Sequence, residues 1–307
     1  MTIRLDGKKT GDEIRSEIAA EVSALTGSGR RPPGLAVVLV GEDPASKVYV
    51  ASKGRAASEA GFVELTIRLA EDSTAGDIRA TIAKLNDEEG VDGILVQLPL
   101  PDGLPERELL LGIDPDKDVD GLHPMNAGRL WSDEEGFVPC TPFGVIELLK
   151  RYEVPLSGSH AVIVGRSRLV GKPMAALLLK ENCTVTMCHS RTRDLPAECR
   201  RADILVGAIG RPAFFGPEHV KEGAVVIDVG INRVTDRETV ERLFAGQPKK
   251  LAAFEKRGSV LVGDVDYFGV KSQASAITPV PGGVGPLTVT MLLANTLLAY
   301  KRREGIE

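Results

Sequence analysis

Paired cysteines are the first thing missing from this sequence. Its four, Cys140, Cys183, Cys188 and Cys199, form no C-x-x-C pair and no disulfide framework. Cys188 stands beside His189, but no zinc spacing surrounds them. No metal is expected, and the cysteines read as reduced packing residues of a cytoplasmic protein. No apolar run approaches the ~20 residues of a membrane span, and the opening "MTIRLDGKKT" lacks the apolar core of a signal peptide. A basic excess is also absent. With 38 Lys and Arg against 43 Asp and Glu, the net charge of −5 argues against a nucleic-acid partner. Internal repeats and low-complexity tracts are absent too. What remains is ordinary globular composition, 43% hydrophobic and 26% charged over 307 residues, enough for one large or two medium domains.

Apolar runs alternate with helical patterns along the whole chain. "GLAVVLVG" (34–41), "VELTIRL" (63–69) and "DGILVQLPLP" (92–101) read as strands buried on both faces, separated by helices at 44–60 and in "STAGDIRATIAKLNDEEG". That is βαβαβ spacing and predicts a parallel sheet. A second series holds "AVIVG" (161–165), "TVTMCH" (184–189), "ADILVGAIG" (202–210), "AVVIDVG" (224–230) and "VLVGDVD" (260–266). The break falls near 140–158, so the fold class is α/β with two domains. Their expected bounds are 1–145 plus the C-terminal helix 285–307, packing back on the first domain, and 146–284. Residues 233–258 are polar and helix-prone with no strand signal, and read as a surface excursion.

Four stretches carry chemistry. In "DPASKVYVASKGRAASEAG" (43–61), Asp43 is a good N-cap, Pro44 suits the first helical position and Gly61 is a natural stop. Helical spacing puts Ser46, Tyr49, Val50 and Lys53 on one stripe. A stripe that only packs against a sheet would be apolar, so this one is either solvated or part of a site. "AVIVGRSRLVGKPMAALLL" sets a turn between strand and helix, with Gly165, Ser167 and the late Gly171 as an imperfect G-x-G-x-x-G. The helix beyond Lys172-Pro173 is expected to offer free N–H groups to a phosphate. The next strand ends in "CHSRTRD", with Ser190 and Arg191 where an NAD-binding unit carries a carboxylate. A cationic, hydroxyl-bearing end suits the 2′-phosphate of NADP; a solvated basic loop is the alternative. "DPDKDVDGLHPMNA" imitates a calcium loop, but Ala127 stands at the twelfth position and Pro124 breaks the exiting helix. One of its carboxylates instead suits an amide-like ligand edge, or the loop is simply an Asp-rich turn. Tyr49 and Lys53 also make the Tyr-x-x-x-Lys of short-chain dehydrogenases, but there the glycine loop comes first, and here Gly165 follows by more than a hundred residues.

The set "SKVYVASK", "DGILVQLPLP", "PDKDVDGLHPMNAGRL", "PCTPFGVIELL", "VGRSRLVGKPMAALLL", "ADILVGAIGRPAF", "GAVVIDVGINR", "GDVD" and "TPVPGGVGPLT" closely resembles the bifunctional methylenetetrahydrofolate dehydrogenase/cyclohydrolase family, from about residue 3 to residue 303. Two departures stand out: a longer 233–258 connection, and Leu287 where methionine is common. The resemblance implies an N-terminal catalytic domain and a Rossmann-like NADP-binding domain. It implies oxidation of 5,10-methylenetetrahydrofolate with NADP⁺, hydrolysis to 10-formyltetrahydrofolate, and a homodimer. By similarity Lys53 is the central catalytic group, Tyr49 stacks on or positions the folate, Gln97 bonds Lys53, Asp120 holds the pterin and Ser46 joins them. Pro281, Gly282 and Gly283 line the substrate. Gly165, Arg166, Ser167, Ser190, Arg191 and the Ile231 backbone meet the cofactor, with both ligands in one interdomain cleft. Loss of the cyclohydrolase activity, or a silent NADP-binding scaffold, are the readings that intact Lys53, Gln97 and Asp120 argue against.

Overall fold

The computed structural model describes residues 1–306. The chain forms two compact bodies. One joins Met1–Thr10 to Thr141–Leu287; the other joins Gly11–Cys140 to the chain from Thr288 onward. Among the described residues no helix is long and apolar enough to cross a membrane.

After β1 (Ile3–Arg4) the chain builds a three-stranded parallel sheet, β2 (Gly34–Val40), β3 (Val63–Leu69) and β4 (Gly93–Val96), in the order β3-β2-β4. β2 is central and buried along its whole length, as an unbroken apolar run predicts. β3 departs from expectation: as the edge strand it is half-exposed, with Val63 and Leu65 at the surface and only Ile67 and Leu69 of its apolar residues packed on the core. The helix Ala75–Asp87 is set by a Thr74/Asp77 capping box and lays Ile78, Ile82 and Leu85 on the sheet. The C-terminal helix Gly285–Arg303 packs back on this body. Asn295 Nδ2 donates to the carbonyls of Val119 and Val138 at 2.8 and 2.9 Å. Arg303 donates to Asp92 at 2.7 Å. Asp92 is fully buried and also takes both guanidinium arms of Arg31, a bidentate pair that suits its planar carboxylate.

In the other body, β5 (His160–Val164), β6 (Thr184–Cys188), β7 (Ile204–Gly207) and β8 (Val225–Asp228) are the doubly wound series. β9 (Asn232–Val234) and β10 (Val260–Val262) form a separate antiparallel pair, and β11 (Ala276–Ile277) returns to the main sheet. The six-stranded order is β1-β11-β8-β7-β5-β6, all parallel. Two expectations change here. "VLVGDVD" does not extend the parallel series, because β10 pairs only with β9. The 233–258 excursion is more than a polar surface: Val240, Leu243, Phe244 and Phe254 close over this hairpin as a small core of their own. Strands of two residues, such as β1 and β11, carry no periodicity a sequence could display.

Candidate active site

The Pro44–Glu59 helix starts as its sequence dictates, with Asp43 accepting the Ser46 N–H at 2.7 Å and Pro44 in the first turn. Its stripe is mixed. Val50 and Ser46 are buried, Lys53 is half-buried, and Tyr49 is 48% exposed. The chain leaves β4 at Gln97, whose N–H still bonds Val38 on β2 at 2.9 Å. Gln97 Nε2 donates to the Leu98 carbonyl at 2.6 Å, so its oxygen is left to face Lys53. Lys53 Nζ donates to that oxygen at 2.9 Å, the one hydrogen bond its ammonium makes among the described residues.

Asp120 completes the cluster from the loop after Lys117. Neighbouring Asp118, buried, holds that loop by accepting the N–H groups of His123 at 2.8 Å and Leu122 at 3.3 Å and Asn126 Nδ2 at 2.9 Å. Gly121 has φ +70°, and a Cβ there would stand 2.5 Å from the Val138 carbonyl carbon, so glycine is required. The apparent calcium ligands are therefore otherwise employed: Asp116 pairs with Arg129 at 2.8 Å and Asp118 serves the backbone.

The charges of the cluster are mutually tuned. Burial pulls the Lys53 proton affinity down, while Asp120 opposes it. Burial pushes the Asp120 carboxyl up, while Lys53 and a hydrogen bond with Cys140 pull it back. Burial likewise brings Asp118 to about 6, against its hydrogen bonds. Cys140 is the residue the sequence reading passed over. It is a buried free thiol, as are the other three cysteines, but it packs on the site rather than only in the core. The sole signal was its position at the start of the Cys140–Arg151 helix.

The second half of the predicted set lies in the Thr141–Leu287 body. Gly165 leaves β5 with φ +128°, and a Cβ there would stand 2.2 Å from the Ala208 carbonyl oxygen. A Cβ on Gly171 would meet the Gly165 oxygen at 2.2 Å, so both glycines are needed for helix and strand to approach. The helix Gly171–Lys180 does not offer free donors as expected. Ser167 Oγ accepts from Val170 and Gly171 at 3.1 and 3.4 Å, and Lys172 N–H bonds the Ser167 carbonyl. The loop itself, Arg166 to Leu169, is exposed. Ser190 and Arg191 stand exposed past β6, on a turn fixed by His189 Nδ1 accepting the Arg191 N–H at 3.1 Å. Ile231 is 51% exposed past β8. Pro281 is exposed, whereas Gly282 and Gly283 meet the chain's start. The Gly282 carbonyl accepts the Lys8 N–H at 3.1 Å, and a Cβ on Gly7 would stand 1.9 Å from the Gly283 oxygen.

Comparison with known proteins matches residues 5–120 to the tetrahydrofolate dehydrogenase/cyclohydrolase catalytic domain and residues 139–304 to the NAD(P)-binding domain of the same description. The bifunctional protein FolD of Koribacter versatilis is 53% identical, with 98% of this chain and 97% of that protein covered. That of Desulfovibrio desulfuricans is 51% identical, at 97% and 98% coverage. Among solved structures, FolD from Campylobacter jejuni gives a TM-score of 0.89 at 43% identity, covering 99% of this chain and 100% of that one. The Trypanosoma brucei enzyme, solved with NADP and an inhibitor, gives 0.87 at 38% identity, covering 99% and 98%.

Proposed function

Since the chain belongs to the tetrahydrofolate dehydrogenase/cyclohydrolase family, we infer that it is a bifunctional, NADP-dependent enzyme. It oxidises 5,10-methylenetetrahydrofolate to the methenyl form and hydrolyses that to 10-formyltetrahydrofolate. The observation that carries the reading is the half-buried Lys53 ammonium with one hydrogen bond, to Gln97, in the field of Asp120.

The residues present fit NADP. The exposed 166–169 loop after β5 suits a pyrophosphate, and the exposed Ser190 and Arg191 past β6 suit a 2′-phosphate. When bound, NADP⁺ supplies the hydride acceptor. The protein's part in the oxidation is alignment, as the methylene C–H bond breaks with its electron pair and the folate nitrogens share the resulting positive charge. Tyr49 offers an aromatic face to the folate. Asp120 accepts the paired N–H donors of the pterin edge, and Ser46 shapes the same helix face.

Hydrolysis then needs a base beside a cation, where a lysine loses its proton more readily. Neutral Lys53 takes a proton from water as the oxygen bonds to the methenyl carbon. Collapse of the carbinol releases its hydroxyl proton to solvent. Lys53 returns its own proton to N5 as the C–N5 bond breaks, leaving the formyl group on N10. Gln97 holds the amine in place without adding charge.

We extend the reading to a cytoplasmic homodimer that supplies one-carbon units to purine, methionine and histidine biosynthesis. The family resemblance supports the dimer and the pathways, and four free, buried thiols are consistent with a reducing compartment. The decisive assay gives purified protein methylenetetrahydrofolate and NADP⁺ and follows both the rise and the decay of methenyl absorbance. A rise without decay beyond the buffer rate would leave a dehydrogenase alone. No rise would end the reading.

A further inference from the structure

Two buried carboxylates, Asp228 and Asp264, stand at the carboxyl edge of the six-stranded sheet, outside the Lys53 cluster and the glycine turn. Asp264 is fully buried and accepts four hydrogen bonds. Its Oδ2 takes the N–H groups of Ile209 and Gly210 at 2.6 and 2.9 Å, and its Oδ1 takes the Arg211 N–H and Asn232 Nδ2, both at 2.9 Å. Asp228 accepts the N–H groups of Gly230, Asp264 and Val265 at 3.0, 2.8 and 2.9 Å. Among the described residues no lysine or arginine side chain bonds either carboxylate. A Cβ on Gly230 would lie 2.2 Å from Asp264 Oδ1, and one on Gly263 would lie 1.7 Å from Asp228 Oδ2. The backbone is thus built to let these two side chains in.

What they hold is specific. Asp264 ties the three residues that leave β7 to Asn232, and Asp228 ties Gly230; these are the two flanks of exposed Ile231. The sheet order β8-β7-β5-β6 gives this meaning. The 2′-phosphate determinants lie past β6 and the glycine turn past β5, so a dinucleotide laid across the carboxyl edge runs on over β7 and β8. Its nicotinamide half then meets the segments that Asp264 joins.

We propose that Asp264 is a positioning residue for hydride transfer, setting the 209–211 loop and the Ile231 main chain against the nicotinamide, with Asp228 as its buttress. The proposal rests on the NADP reading given above. Asp264 needs both oxygens for this, because its four donors divide two to each oxygen.

Asp264→Asn tests it, since the amide turns an –NH₂ toward two of the four donors. Dehydrogenase kcat should fall about ten- to a hundredfold, the scale of a small misalignment. KM for NADP⁺ should move less than roughly threefold, because phosphate contacts dominate affinity. Cyclohydrolase activity on supplied methenyltetrahydrofolate should stay within about twofold, since it needs no nicotinamide. Adding Asn232→Asp places an acceptor opposite the new amide and should restore part of kcat. Should Asp264→Asn not fold, Asn232→Ala removes only the side-chain donor and should give the same split at several-fold. Parallel loss of both activities, or unchanged dehydrogenase kcat, would overturn the proposal. Unmodified enzyme without dehydrogenase activity would instead sink the cofactor reading, and the proposal with it.

Discussion

Lys53 and Lys117 lie in the same body, and burial lowers the proton affinity of both ammonium groups. Lys117 is the more deeply buried, at 4% exposure. Its ammonium donates to the carbonyls of Leu85, Asn86 and Glu88 at 3.1, 2.7 and 2.9 Å, closing the carboxyl end of the Ala75–Asp87 helix. All three of its hydrogens are spent, and losing a proton would turn a lone pair toward a carbonyl. Lys53 has one hydrogen bond, to a neutral amide oxygen. Its remaining valence is free for a substrate. Burial alone does not make a lysine catalytic; what matters is how many of its bonds the fold leaves open.

The sharpest way to break that contrast is Lys53→Met, which keeps the unbranched stem and removes the amine. Cyclohydrolase activity should fall by roughly 10²-fold or more, as for loss of a general base. Dehydrogenase activity should fall less, so methenyltetrahydrofolate accumulates and is seen by its absorbance. In the unaltered enzyme hydrolysis should quicken as pH rises and Lys53 sheds its proton, and the variant should lose that limb above the buffer reaction. Clearance at the native rate would exclude Lys53 as the base.

Asp120→Asn probes the partner charge. The amide presents a donor to the pterin's own donors, with a charge-assisted bond worth about 1.5–3 kcal/mol at stake. Both activities should drop by about tenfold or more, with NADP⁺ affinity near normal. Unchanged folate affinity would return Asp120 to the role of a turn residue.

Lys117→Met should do the reverse of Lys53→Met. Three helix-end carbonyls lose their partner, so urea unfolding should report a loss of about 1–3 kcal/mol, with both activities intact at low temperature. An activity loss without a stability loss would dissolve the distinction between the two lysines. Arg191→Ala carries the contrast to an exposed side chain, the guanidinium proposed to meet the 2′-phosphate. KM should rise roughly tenfold for NADP⁺ and little for NAD⁺. Equal losses would pass the role to Ser190 or Arg193.

Much of this was legible because short-range rules act on it. Asp43-Pro44 and helical spacing define the Lys53 face, and the apolar runs define β2, β4 and β5 to β8. Gln97 was legible as a residue near the carboxyl end of the third strand, where ligands of a parallel sheet sit, but its bond to Lys53 came only through family resemblance. Cys140 and Asp264 were not singled out because their roles arise from long-range contacts: Asp264 reaches loops more than thirty and more than fifty residues away. The loss of free donors at the Gly171–Lys180 helix was invisible for a related reason. A serine in a phosphate turn serves a ligand or its own backbone equally well by composition, and only the fold decides.

The pairing of β1 with β11 bears on how the protein can be made. Ile3 meets Ala276, so the strand nearest the start of synthesis waits for nearly the whole chain before it finds its neighbour. The Gly11–Cys140 body also receives its last helix from the chain beyond Thr288. Each body borrows a piece from across the other in sequence. A single cut at residue 140 would leave both ribosomal products unfinished: one would lack its closing helix, the other its edge strand.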